Sequence, residues 1–173
     1  MIFLTVGTIL PFDRLVRAVD EAIEANVVTM PVFAQIGQAR YKPRNMDYVA
    51  ALEKDPFDQK VKDAAFVISH AGIGSLLIAL ERRKRLVVMP RRRRYGEAVN
   101  DHQVATARRF AELGCVLAAY NGAELLLRLH EIESFVPAHR ASEADRVAQR
   151  LSQFLEQIGI GANRVVAPAL TKG

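Results

Sequence analysis

At 173 residues, half of them hydrophobic, the chain is long enough for one buried core and too short for two independent domains. Its single cysteine, Cys115, excludes an internal disulfide and a cysteine-rich metal cage, which fits a reducing cytoplasm. The formal net charge is +5, and eight of the 24 Lys and Arg residues fall in two short blocks, Arg82 to Arg85 and Arg91 to Arg94, so the positive field is local and suits phosphate-bearing ligands, anionic headgroups or nucleic acid.

The run IFLTVG at residues 2–7 is short, apolar and β-prone, and it ends in glycine. MIFLTVGT carries neither the basic stretch nor the small-residue cleavage site of a signal peptide, so it is expected to be a first strand. After Pro11, the residues Phe12, Leu15, Val16, Val19 and Ile23 recur at helical spacing. Val32 to Ile36 makes the next strand and closes on Gly37, and the polar stretch Arg40 to Asn45, with Pro43, reads as a loop. Residues 47–63 read as one or two short helices separated around Pro56. AFVIS at residues 65–69 is a buried strand, followed at once by HAGIG.

Ile73, Leu76, Leu77 and Leu80 repeat as one helical face, Leu86 to Met89 is another strand ending at Pro90, and the second arginine block is then a loop. Asn100 or Asp101 caps a helix marked by Val104, Ala107, Phe110 and Ala111. Cys115 to Ala119 is the last strand, and Asn121 caps a short helix with Leu125, Leu126 and Leu129 inward. Beyond Pro137 an amphipathic helix is expected over residues 142–158, through Val147, Leu151, Phe154, Leu155 and Ile158. No apolar run approaches the roughly 20 residues that cross a bilayer. The expected organisation is a ligand-binding domain over residues 1–136, with residues 137–173 as a C-terminal helix and tail of the same domain.

Strands that are nearly all apolar, alternating with helices, imply an α/β fold with a Rossmann-like parallel sheet covered by helices on both faces. Ligands of such sheets bind outside the carboxyl ends of the strands, so the loops after Val6, Ile36, Ser69, Met89 and Ala119 are the candidate rim. GTILPFD, residues 7–13, presents unpaired backbone amides and a helix dipole to whatever sits above it, and it is equally an ordinary strand-to-helix turn. SHAGIGS, residues 69–75, repeats that geometry with more content: Gly72 and Gly74 allow close backbone approach, Ser75 offers a hydroxyl, and His70 stands at the end of the strand.

Read as a whole, SHAGIGSLLIALERRKRLVVMPRRRRYGEAVNDHQ, together with FLTVGTILPFDRL and FAQIG, resembles the carboxy-terminal, donor-binding domain of the family 28 glycosyltransferases of the GT-B fold. More narrowly it is similar to the PssE-type subunits, relatives of the small catalytic subunit of the eukaryotic dolichol-linked GlcNAc transferase. The resemblance covers residues 1 to about 130 and implies half of a GT-B fold. It also implies that Gly7, Thr8 and the helix they open face the diphosphate of a UDP-sugar, with His70 stabilising it and Gly72, Gly74 and Ser75 closing on it. Asn100, His102 and Gln103 fall where such proteins contact the hydroxyls of the transferred sugar. Arg91 and Arg92 lie on the same rim as candidate phosphate or acceptor contacts, against the alternative of a solvated charged loop.

Two departures stand out. Many family members carry a glutamate that holds the ribose where this chain has Ile78, and they carry Gly-Lys-Pro where it has Arg83, Lys84 and Arg85. The chain contains no Asp-x-Asp triplet, so no metal and no other cofactor is expected. A complete GT-B enzyme has two Rossmann-like domains. The resemblance therefore implies a membrane-anchored, acceptor-binding partner that presents a lipid-diphosphate-linked saccharide, and a cytoplasmic position at the inner face of the plasma membrane. The exposed face of the helix over 142–158 is the candidate for docking. Two rival readings are a nucleotide-sugar-binding scaffold without turnover, and a nucleic-acid binder, against which the 7% aromatic content and the lack of a stacking platform both count.

Overall fold

The computed structural model describes residues 1–138. They form a six-stranded, all-parallel sheet in the order β3-β2-β1-β4-β5-β6. The strands are β1 (Ile2–Thr5), β2 (Val32–Gln35), β3 (Asp47–Val49), β4 (Phe66–His70), β5 (Arg85–Met89) and β6 (Leu117–Ala118). Between and after them run α1 (Asp13–Glu24), α2 (Lys54–Asp63), α3 (Ile73–Glu81), α4 (His102–Glu112) and α5 (Gly122–Glu131). The expected helix over residues 142–158 lies outside the described residues.

The central strands are buried along their whole length, because each side chain meets a helix on one face or the other. Ile2 and Leu4 of β1 pack with Leu15, Val16 and Val19 of α1 and with Leu125 and Leu129 of α5. Phe3, pointing the other way, stacks on Phe33 and meets Phe57 of α2 edge-on at 5.3 Å. A fully buried ring of this size contributes about 2–3 kcal/mol of apolar transfer.

Residues 47–63 depart from expectation. Asp47–Val49 is an edge strand paired with Phe33–Gln35, and a single helix follows, with Pro56 inside its first turn. Proline is tolerated there because its missing N–H falls among amides that have no helical partner anyway. A three-residue edge strand is too short to show an alternating pattern. The last strand is likewise shorter than its apolar run, since only Leu117 and Ala118 pair with β5. Asn121 caps α5 as expected, its Oδ1 accepting the Glu124 amide at 2.9 Å.

Candidate functional site

The strand order reverses between β1 and β4. From β1 the chain passes through α1 to β2 on one side, and from β4 it passes through α3 to β5 on the other. Thr5 and Ser69 are register partners at the carboxyl end of this pair, so the loops after them open a crevice at the topological switch point.

The two glycine turns meet there on one imidazole. A Cβ built on Gly7 would fall 3.1 Å from His70 Cε1, and one built on Gly72 would overlap His70 Nε2, so the ring is wedged between the turns and both positions must stay small. Gly37, at φ +56°, closes the third side, where a Cβ would lie 2.5 Å from the carbonyl oxygen of Gly7. The Ser69 hydroxyl donates to the His70 carbonyl at 2.9 Å and pins the turn after β4. Burial, together with the charge of Arg91, pushes the His70 imidazole down to about 4, while the Thr5 carbonyl works in the opposite direction. At neutral pH the ring is therefore uncharged.

Around this ring the backbone offers donors. Neither α1 nor α3 has a side-chain cap, and the first turn of α3 contains no acidic residue, so among the described residues nothing bonds its opening amides at Ile73, Gly74 and Ser75, which have the positive end of the helix dipole behind them. Among the described residues, no hydrogen bond engages the amides of Thr8, Ile9 or Leu10. The first loop differs from expectation in one respect. The helix it leads into opens only at Asp13, since Phe12 after Pro11 still holds a non-helical backbone. The Asp13 carboxylate then turns to the amides of Arg40 and Tyr41, at 2.7 and 2.9 Å. The loop's own amides, rather than the start of α1, are what reach the crevice.

Arg91 is buried, and its guanidinium does not reach out as a free cation. Nη2 donates to the carbonyls of Val6 and Leu10, both at 2.6 Å, beside the ring of Phe12. Burial pushes its pKa down to about 10, with Glu97 opposing, so the side chain stays protonated at neutral pH and ties down the carbonyls of the Gly7 loop. Gln103, also buried, accepts the Arg91 amide on Oε1 at 3.1 Å, which leaves its Nε2 as the outward donor. His70, Gly7, Gly72, Arg91 and Gln103 thus form one connected set.

The other expected residues sit around that set. Thr8 is exposed and Ser75 half-buried, and a Cβ on Gly74 would meet nothing within 4 Å. Asn100 is exposed, and its Oδ1 accepts the His102 amide at 3.2 Å and also pairs with the His102 ring. It thereby serves the first turn of α4, while Asp101 instead accepts the Arg93 amide at 2.8 Å. Arg92 lies over the Tyr120 ring at 5.5 Å, on the far side of β5 from His70.

Sequence reasoning missed the residues that brace the loops. Arg14 grips Glu97 with two bonds of 2.8 Å and also donates to the Pro90 carbonyl at 2.9 Å, fixing the arginine loop to α1. Asp20 is buried and accepts the Tyr41 hydroxyl at 2.7 Å and the amides of Arg44 and Asn45. Burial alone would raise its pKa, but these bonds together hold it below the usual value. Gln35 bridges Thr5 Oγ1 and the Leu52 amide. A carboxylate in the middle of an apolar helical stripe, as Asp20 is among Val16, Val19 and Ala22, was the available signal. A cavity of about 490 Å³ opens beside Thr8 and Gln35, and Ile78 and Glu81 line it. Among the described residues no group of three or more His, Cys, Asp or Glu is placed to hold a metal ion. Among the same residues no helix is long and apolar enough to cross a membrane.

A parallel sheet of this order, with an amide-lined crevice at its switch point, defines a Rossmann-like domain of the kind that forms the carboxy-terminal half of a GT-B glycosyltransferase. The glycosyltransferase family 28 C-terminal domain matches residues 1–158, and the chain belongs to that family. Among solved structures it is similar to the glycotransferase of kitacinnamycin, at 16% identity and a TM-score of 0.58, over 90% of this chain and 42% of that one. It is similar also to ALG13, solved by NMR, at 20% identity and a TM-score of 0.57, over 84% of this chain and 93% of that one. A third is the UDP-GlcNAc 2-epimerase of Methanocaldococcus jannaschii, in complex with UDP-GlcNAc and UDP, at 11% identity and a TM-score of 0.55, over 88% of this chain and 45% of that one. At these identities the likeness concerns the fold. The chain thus spans less than half the length of the kitacinnamycin enzyme and of the epimerase, and nearly all of ALG13. No curated protein matches the chain at a significant level.

Proposed function

We propose that the chain is the PssE-type, donor-binding catalytic subunit of a two-component UDP-sugar glycosyltransferase, acting on a lipid-diphosphate-linked acceptor in cell-surface polysaccharide synthesis. The observation that carries this reading is the meeting of the Gly7 and Gly72 turns on His70, with free amides on both sides of it. A diphosphate seated there accepts from Thr8 and from the opening turn of α3, and the His70 imidazole, its one neutral-form N–H held by the Thr5 carbonyl, supports it by fixing the two turns on either side. Gln103 Nε2, and the Asn100 and His102 pair, read the hydroxyls of the sugar. The nucleoside enters the cavity beside Thr8, where Glu81, one turn beyond Ile78, takes the ribose in place of the usual glutamate.

In the transfer step an acceptor oxygen bonds to the anomeric carbon as the bond from that carbon to the β-phosphate oxygen breaks. The electron pair leaves with UDP, and the acceptor proton passes to a base on the partner. The amides stabilise the charge that develops on the leaving diphosphate, so the step needs no metal. The second wall of the cleft belongs to a membrane-anchored partner, which holds this subunit at the cytoplasmic face of the membrane.

A panel of UDP-sugars and GDP-sugars titrated calorimetrically into the purified chain tests the donor assignment: one UDP-sugar binding well above the rest upholds it, and GDP-sugar or dinucleotide binding in its place removes it. Ile78 in the cavity wall favours a second reading, a nucleotide-sugar-binding scaffold without turnover. Transfer assayed with the partner present separates the two.

A further inference from the structure

Beyond β5, on the opposite side from His70, the rim holds a cavity of about 470 Å³ bounded by Arg92, Arg94, Arg108 and Tyr120, with Asp101 and Glu124 as the acidic members. The acidic members are already engaged locally. Asp101 Oδ1 accepts the Arg93 amide at 2.8 Å, and Glu124 accepts the Tyr120 amide at 2.9 Å and the Asn121 side chain. Among the described residues none of the three arginines forms an ion pair. Arg94 spends one donor on the Tyr95 hydroxyl, and Arg92 lies over the Tyr120 ring, which fixes the plane of its guanidinium. Among the described residues the Nε of Arg92 has no hydrogen-bond partner, so its guanidinium still has an unspent donor.

From this cavity we infer a second oxyanion site, distinct from the donor crevice, that takes a diphosphate-class group. Three planar forks around one opening suit a ligand whose charge is spread over several oxygens better than a single carboxylate. The site deepens the proposed function, since an acceptor diphosphate is the group that reading requires outside the donor crevice, yet it is tested separately.

Inorganic pyrophosphate is titrated into the full chain already saturated with UDP. The expected result is further uptake, weakened at least about tenfold in the R94Q/R108Q double variant, whose UDP affinity is unchanged. Absence of uptake beyond the UDP site, or uptake indifferent to the two substitutions, overturns the inference. Should UDP itself fail to bind, the donor assignment falls, and the pyrophosphate titration with its arginine dependence still decides this site. Cosedimentation with phosphatidylcholine vesicles carrying farnesyl diphosphate settles the source. Arginine-dependent binding to these, and not to vesicles carrying phosphatidylserine, assigns the group to a membrane-borne diphosphate. Equal binding to both reduces the site to a general acidic-surface contact and overturns the diphosphate assignment.

Discussion

The two ends of the rim are built on opposite principles. At β1 and β4 the crevice is shaped by contact: Gly7, Gly37 and Gly72 press on each other or on His70, Arg91 is buried against carbonyls, and almost no side chain there can grow. At β5 and β6 the cavity is open, its arginines laid over the rings of Tyr120 and Tyr95 with one bond to the Tyr95 hydroxyl. The first arrangement can hold backbone amides to the tolerance that a reacting diphosphate demands, while the second can attract charge without specifying its position. Substitutions on the first side are therefore expected to act on stability and affinity together, and those on the second on binding alone.

The largest effect is expected at Gly37→Ala. The backbone there is left-handed, and the new methyl meets the backbone oxygen of Gly7, which cannot rotate away as a side chain would. Strain and overpacking together should destabilise by about 3 kcal/mol, read by urea unfolding, with UDP binding lost in parallel. A loss below about 1 kcal/mol would show that the crevice yields, and the contrast between the two ends would weaken.

Next is the pH dependence set by His70. Its native pKa of about 4 lies below the unfolded value of 6.5, so between these pH values the unfolded chain takes up a proton that the native one refuses. Stability is full above about pH 6.5, falls as the pH drops, and levels off near pH 4, by about 3 kcal/mol in all. Asp20 contributes with a separate window: its lowered pKa stabilises the native state above 3.8 and is lost only at more acid pH. Unfolding of His70→Asn across this range should lack the first slope and keep the second. An unchanged slope between pH 6.5 and 4 would mean that the ring is not desolvated as described.

Arg91→Met follows, at about 2 kcal/mol. It strands two buried carbonyls, but it also removes a charge whose burial was itself unfavourable, so the net loss is smaller than the count of bonds implies. Arg91→Lys keeps the charge without the fork and should recover only part of the loss in thermal unfolding. Full recovery would reduce the role of Arg91 to charge alone.

The sequence made the parallel sheet and the position of His70 at a strand end legible, because apolar strands, strand-end glycines and helical spacing are local signals; that the Gly7 and Gly72 turns face one another was implied only by the family resemblance. The direction of each arginine was not local. Arg91 and Arg92 are neighbours of the same type, yet one turns beneath the Gly7 loop and the other over Tyr120, a difference set by Val6, Leu10 and Phe12 on one side and Tyr120 on the other, all far from them in the chain. β3 escaped notice because three exposed or half-exposed residues on a sheet edge carry no pattern until Phe33 to Gln35 are in place beside them. The later start of α1 depended on the backbone at Phe12, which composition does not reveal.

The smallest effect tests where the two ends join. Gln103 stands between them, its Oε1 fixed by the Arg91 amide and its Nε2 left outward. Gln103→Ala removes one acceptor from one buried amide, so stability should fall by only about 1 kcal/mol. Its larger consequence is expected in the ligand: without the amide the site loses a directional reader of sugar hydroxyls, while the turns around His70 are untouched. In calorimetric titrations the affinities for different UDP-sugars should therefore converge while plain UDP binds as before. Equal weakening of UDP and UDP-sugar would instead place Gln103 with the loop-bracing residues, acting through Arg91 on the crevice rather than on the sugar.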